Sequence, residues 1–193
     1  PASGDYAYMV SSDKSLGEED IFRIKVFSGK EITYQSWYGV PEASLDTNRT
    51  WNYYTYENQV DNYQQDHYQL HYSKSLGEHF DLGGAFHFTR GRGQYEQFRE
   101  NQRLSNYTIP AIVLGDTTIS RTDLIRQKWL DNYFYGLTYA LNYNPQNKRL
   151  TATLGGGWNK YDGDHYGEVI WARFASSSEI RHRYYEGNAL KTD

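Results

Sequence analysis

WLDNYFYGLTYALNYNPQNKRLTATLGGGW, residues 129–158, is the stretch on which the fold turns. From Tyr133 the odd positions read Tyr133, Tyr135, Leu137, Tyr139, Leu141 and Tyr143, and the even ones Phe134, Gly136, Thr138, Ala140 and Asn142. A period of two is the mark of a β-strand whose faces meet different surroundings. Beyond a short polar stretch the pattern returns in Leu150, Ala152, Leu154 and Trp158, with Thr151, Thr153 and Gly155 on the opposite parity. The two runs therefore read as a hairpin. A four-residue loop, Pro145 to Lys148, gives the required parity and predicts Tyr139 opposite Leu154 and Tyr135 opposite Trp158.

The same logic extends upstream. Tyr68, Leu70 and Tyr72 share parity with Leu82, Phe86 and Phe88, so a loop of Gly77, Glu78 and His79 predicts the pairs Leu76–Phe80, Leu70–Phe86 and Tyr68–Phe88. A first hairpin joins DYAYMV to IFRIKVF through Asp13 to Asp20, matching Tyr6, Tyr8 and Val10 with Phe22, Ile24 and Val26. Between hairpins lie long polar excursions, residues 28–65 and about 99–128, with a helical turn expected at Pro41 in VPEASL. The whole predicts an all-β antiparallel meander of six to eight long strands.

Composition narrows what such a meander can be. The 193 residues carry a formal charge of −4, no cysteine and one methionine, with hydrophobic residues at 38% but aromatics at 17%. A mean hydropathy of −0.87 speaks against an ordinary helical or α/β core, and the aromatics speak against disorder. The absence of cysteine removes disulfides and thiolate metal sites, and the mild negative charge offers no nucleic-acid footprint. No run approaches the roughly 18 apolar residues of a spanning helix. The run from Tyr133 to Tyr143 does match the about 9–11 residues of a tilted membrane-crossing strand, and its opposing face would tolerate water. Short turns alternating with long loops fit the same reading: part of a transmembrane β-barrel with long extracellular loops. Pro1 at the start and YYEGNALKTD at the end lead us to expect a segment of a longer mature chain.

The stretches FRIKVFSGKEITYQSWYGVPEASL, DNYQQDHYQLHYSKSLGEHFDLGGAFHFTRGRGQYEQFR and LGGGWNKYDGDHYGEVIWA resemble the barrel region of TonB-dependent outer-membrane receptors, particularly those of Bacteroidetes. The likeness spans roughly residues 20–193, and residues 1–193 would form one partial barrel domain without its plug. It implies a barrel of about 22 strands, located in the bacterial outer membrane. It also implies import of a ferric chelate, cobalamin or glycan, energised by TonB through a plug region, with a surface lipoprotein as a further partner. Neither the plug nor a TonB-contacting segment is recognisable. Two other readings remain open: a secreted β-sandwich binding carbohydrate through surface aromatics, and a small porin-like or structural barrel.

Among chemistry-bearing residues, His67, His71 and His87 share one face, with His87 diagonal to both others. Two strand residues four apart lie about 13 Å from each other, so a hydrated wall is favoured over a metal site. DGDHYGE, Asp162 to Glu168, lacks the ligand spacing of a calcium loop and reads as a polar loop tip, while YDGDHYGEVIWARF around it begins either a third excursion or a further strand. The glycines at 91, 93 and 155–157 suit a long strand that bends or packs against a plug better than a phosphate site. No catalytic constellation or cofactor motif stands out, so an enzyme is not expected. The ligand-binding candidates are aromatics and arginines expected in or near the outer loops: Trp37, Tyr38, Tyr53, Tyr54, Arg90, Arg92, Tyr95, Trp158 and Tyr161, with Trp51, Tyr56 and Arg99 around them.

Overall fold

The computed structural model describes residues 5–15, 20–147, 149–175 and 181–192. Strands dominate: β1 (Tyr6–Ser15), β2 (Asp20–Tyr34), β3 (Val60–Leu76), β4 (Phe80–Arg103), β5 (Ile112–Leu114), β6 (Thr117–Ile119), β7 (Arg121–Tyr143), β8 (Ala152–Ala172) and β9 (His182–Thr192). Seven of them form one antiparallel sheet in the order β1-β2-β3-β4-β7-β8-β9, and β5 and β6 form a separate small hairpin. The predicted all-β meander is therefore present. Among the described residues the sheet is open, with β1 and β9 at its edges.

The β3–β4 register is the predicted one: Leu76 faces Phe80, Leu70 faces Phe86 and Tyr68 faces Phe88. Gly77 takes φ +69°, a left-handed conformation that the tight turn needs and glycine adopts freely. The β7–β8 hairpin corrects the other prediction. Leu141 pairs with Leu154, Tyr139 with Gly156, Leu137 with Trp158 and Tyr135 with Lys160, a slip of two residues relative to Tyr139–Leu154. β7 ends at Tyr143 and β8 opens at Ala152, so the connection is longer than Pro145 to Lys148. A two-residue slip preserves which side chain lies on which face, so alternation alone could not exclude it.

The first hairpin also closes later than expected, since pairing continues past Asp13 to Ser15–Ile21; the tip, 16–19, lies outside the described residues. Pro41 opens a single 3-10 turn over Glu42–Ser44. The expected excursions shrink. β2 runs on to Tyr34, β4 to Arg103 and β7 starts at Arg121. Asp162 to Glu168 is no loop tip: these residues sit inside β8, paired with β7 and β9. Here both faces carry polar side chains, so the ladder continues without the alternation that would reveal it.

Register builds continuous cross-strand rows. One runs Ile24, Leu70, Phe86, Leu137, Trp158; the next Val26, Tyr68, Phe88, Tyr135. One step further on the same face it reads Ser28, Asp66, Arg90, Tyr133, and then Lys30, Gln64, Arg92, Asp131. The face thus changes from apolar, through an aromatic row, to charged within a few rows. Its apolar part is uncovered: Phe86 is 61% exposed, Tyr139 53% and Leu154 73%, with Leu141 half-buried. The opposite face carries Lys25, Gln69, His87, Gly136 and Asn159 in one row, and Arg23, His71, Ala85, Thr138 and Gly157 in another. A cluster of buried apolar side chains lies at the loop end, where Leu104, Tyr107 and Ile109 pack on Leu124, Val169 and Ala172.

Candidate ligand-binding surface at the loop end

β3 begins at Val60, while β4 continues well past its last β3 pair, Asp61–Tyr95. The β2–β3 loop, 35–59, fills the place that β3 leaves empty beside β4. Gln35 bonds backbone to backbone with Gln59 and donates its side-chain amide to the carbonyls of Val60 and Glu96, both at 3.0 Å. That amide stands in for the missing strand. Asn52 donates to the Gln35 carbonyl at 2.7 Å and accepts from the Tyr54 N–H, a local turn of the kind asparagine favours. Tyr34 donates to the carbonyls of Tyr54 and Tyr56.

The loop is further fastened to a carboxylate on β4. Glu96 is buried, and its Oε1 accepts from the Tyr56 hydroxyl at 2.7 Å and the Asn58 amide at 2.8 Å. Its Oε2 accepts from the Gln127 amide on β7 at 2.7 Å. Burial and the bond to Glu96 push the Tyr56 hydroxyl up to about 12. Burial also raises Tyr54.

Held this way, the loop gathers its rings. Trp37 lies edge-on to Tyr95 at 5.1 Å and to Tyr54 at 6.2 Å, and Tyr38 meets Tyr53 at 4.9 Å and Tyr54 at 5.6 Å. Trp51 reaches Tyr53. Trp37, Tyr38 and Tyr53 keep more than half their surface in solvent. Beside them Tyr53, Tyr54, Tyr56, Phe98 and Arg99 line an open cleft of about 400 Å³ between the loop and β4. Beyond Tyr95, Lys128 sits 5.8 Å from the Tyr95 ring and 6.0 Å from Tyr185, and Tyr184 meets Tyr185 and Tyr107 edge-on at 5.0 and 4.8 Å. A water-exposed array of rings with a cation and a guanidinium nearby can stack on flat or ring-shaped ligands and on partner side chains.

Of the candidates read from sequence, Trp37, Tyr38, Tyr53, Tyr54 and Tyr95 come together, although Tyr95 is a strand residue. The others lie away from the loops. Arg90 pairs with Asp131 and covers the Tyr133 ring at 4.2 Å, and Arg92 approaches Asp131 at 3.5 Å and the Trp129 ring at 5.4 Å. Both belong to the charged rows above the apolar face. Trp158 lies in that face, 6.0 Å from the Tyr135 ring. Tyr161 lies on the polar face within hydrogen-bonding reach of His165 Nε2, at 3.2 Å. Arg90, Arg92 and Tyr161 were expected in or near loops although the strands run well past them, and Trp158 belongs to the alternating run that opens β8.

His67, His71 and His87 each have another partner: Thr89 at 3.0 Å, Gln69 at 3.0 Å and Asn159 at 2.8 Å. Among the described residues no three His, Asp or Glu side chains converge as metal ligands. Two of the glycines sit under rings: a Cβ on Gly91 would collide with the Tyr63 hydroxyl, and one on Gly156 would stand 2.9 Å from the Tyr139 hydroxyl.

Gln35, Glu96, Tyr107, Lys128, Tyr184 and Tyr185 escaped the sequence reading. The Tyr184–Tyr185 doublet resembles Tyr53–Tyr54 and was a usable signal; Gln35 and Glu96 carry none, because their roles depend on where β3 stops. No protein-family model matches the chain, and no curated protein matches it.

Proposed function

We propose that this chain is a wall segment of a transmembrane β-barrel in a bacterial outer-membrane receptor of the TonB-dependent type, importing a scarce ligand such as a ferric chelate, cobalamin or glycan. The observation that carries the reading is the uncovered apolar face and its sharp upper border. From Phe80 to Phe88 on β4, or Tyr143 to Tyr133 on β7, the apolar rows extend about 20–25 Å along the normal of a tilted barrel, close to the about 25 Å lipid-facing band of outer-membrane barrels. Tyr68, Phe88, Tyr133 and Tyr135 then mark the headgroup level, and Asp66, Arg90, Arg92 and Asp131 stand beyond it. The opposite face, rich in His, Gln, Thr and Gly, suits a wet lumen. β1 and β9 would meet further strands of the same barrel, which removes exposed edges.

The ring array at the loop end is the ligand surface in this reading. The sandwich alternative needs a second sheet over Phe86, Tyr139 and Leu154, and among the described residues nothing covers them. The experiment is uptake and binding by the intact receptor in its native membrane, comparing iron chelates, cobalamin and oligosaccharides. Retention in the membrane fraction with saturable binding of one class supports the reading. A monomer that stays in solution without detergent overturns it.

A further inference from the structure

We infer that Arg126 and Lys128 form a subsite for an oxyanion, a carboxylate or sulfate group carried by a ring-shaped ligand, on the polar face of the sheet beside the ring array. The two stand two residues apart on β7, so their side chains share a face and their Cα atoms lie about 6.5–7 Å apart. Cross-strand pairing sets Lys128 between Tyr95 and Gly167, and Arg126 between Gln97 and Val169. The guanidinium is fixed by neutral groups. Gln97 Oε1 accepts from Arg126 Nε at 3.2 Å and from Nη2 at 2.8 Å. The Tyr107 hydroxyl accepts from Nη1 at 3.3 Å and donates to Gln102. Gln97 and Tyr107 are buried, so the fork is held in place before anything binds. Three of the five guanidinium N–H groups are used in this way, and the other two have no acceptor among the described residues. The Lys128 ammonium meets only the rings of Tyr95 and Tyr185, at 5.8 and 6.0 Å, the outer limit of a cation–π contact.

Cations withdrawn from water are commonly paired with carboxylates, and here the carboxylates are turned away. Asp164, Glu168 and Glu186 share the parity of the apolar face, where Arg183 bridges Glu168 and Glu186. Asp61 does lie on the polar face in the row of Lys128, but Tyr95 stands between them. Burial and the neighbouring Glu31 also raise the pKa of Asp61, which disfavours its charged form. Neither Arg126 nor Lys128 forms an ion pair among the described residues. Two positive charges are therefore left on one side of the sheet, close enough to share a single anion and with N–H donors to spare for it.

β9 bends to complete the wall. Pairing passes from Gly167–Tyr185 to Glu168–Arg183, so Tyr184 is an inserted residue, and the bulge turns two consecutive tyrosines to the same face. Both rings lie over Gly167, where a Cβ would collide with either. Tyr185 thus closes on Lys128 from one side and Tyr95 from the other, and Tyr95 in turn meets Trp37 edge-on at 5.1 Å. An anion held by Arg126 and Lys128 has aromatic rings on both sides, and through Tyr95 it adjoins the exposed rings of the loop. That these rings receive an imported ligand rests on the proposed function, and the subsite narrows that ligand to an acidic one. The two fail separately: a protein that stays in solution without detergent would end the import reading and leave the binding test below intact.

The test is equilibrium dialysis of the purified full-length protein, at low ionic strength, against three probes: phenyl β-glucuronide, phenyl β-glucoside sulfated on its primary hydroxyl, and the neutral phenyl β-glucoside. At least one charged probe should bind about tenfold or more tightly than the neutral one. That ratio should fall several-fold in Lys128→Gln and persist in Lys128→Arg. It should be unchanged in Arg183→Gln, which removes a cation from the opposite face. Because Lys128 donates no hydrogen bond among the described residues, its replacement leaves the scaffold of Arg126, Gln97 and Tyr107 in place. Equal or undetectable binding of charged and neutral probes by the native protein would overturn the proposal. So would a native ratio in Lys128→Gln, or an equal loss in Arg183→Gln, since the preference would then come from overall charge and not from this pair.

Discussion

A β-carbon added at Gly93 would collide with the Asn62 carbonyl and stand 2.6 Å from the Tyr63 Cα, both backbone atoms that cannot step aside. At Gly91 the obstacle is the tip of the Tyr63 side chain, which can. Gly93→Ala should therefore cost about 1–3 kcal/mol of stability and Gly91→Ala distinctly less, as measured by urea unfolding of the folded protein. Tyr56 supports a second prediction. Burial and the bond to Glu96 push its hydroxyl up to about 12 in the folded protein, from 10.0 for the free side chain. A raised folded value means that its contribution is complete below pH 10 and is lost as pH climbs through about 12. The difference in tyrosinate absorbance between the native protein and Tyr56→Phe should accordingly appear near pH 12; a difference near pH 10 would mean that Tyr56 is neither buried nor held by Glu96. Residue roles of this kind were the least legible in the sequence. Trp37, Tyr38, Tyr53 and Tyr54 announced themselves as loop aromatics, but Glu96 looks like any strand carboxylate until β3 is known to stop short beside it.

At the scale of elements, hairpins were readable where a turn left no slack. Gly77, Glu78 and His79 allow one register for β3 and β4, and that is the register found. Between β7 and β8 the polar residues after Tyr143 permit two registers with identical faces, and parity could not choose between them. Since the chain has no cysteine, cross-linking can check the outcome without background. The pair Leu141→Cys with Leu154→Cys should oxidise to a disulfide, whereas Tyr139→Cys with Leu154→Cys should not, because diagonal strand neighbours lie about 7–8 Å apart and a disulfide needs Cβ atoms about 3.8 Å apart. β4 was followed as far as Phe98, but the upper halves of β7 and β8 were hard to read for a different reason. Past Arg90 and Asp131 both faces carry polar side chains, and a strand polar on both sides has no alternation to read. Arg90, Arg92 and Tyr161 were expected in or near the outer loops, whereas all three lie well inside strands.

For the molecule as a whole, one surface separates the possible readings. Rows such as Ile24, Leu70, Phe86, Leu137 and Trp158 make a continuous apolar face that no second layer covers among the described residues. If acyl chains cover it, Leu137→Arg should destabilise the folded protein by about 2–4 kcal/mol near the bilayer midplane, while Thr138→Arg on the opposite face should cost far less; refolding titrations into lipid vesicles would compare the two. The most direct measurement is the accessibility of spin labels placed singly along β7 from Leu130 to Tyr143 in the protein reconstituted into lipid, using oxygen and a water-soluble nickel complex as relaxers. From Tyr133 to Tyr143, odd positions should favour oxygen and even positions nickel, and the alternation should vanish at Asp131 and before. Uniform nickel access at Tyr135, Leu137, Tyr139 and Leu141 would contradict a lipid-facing sheet.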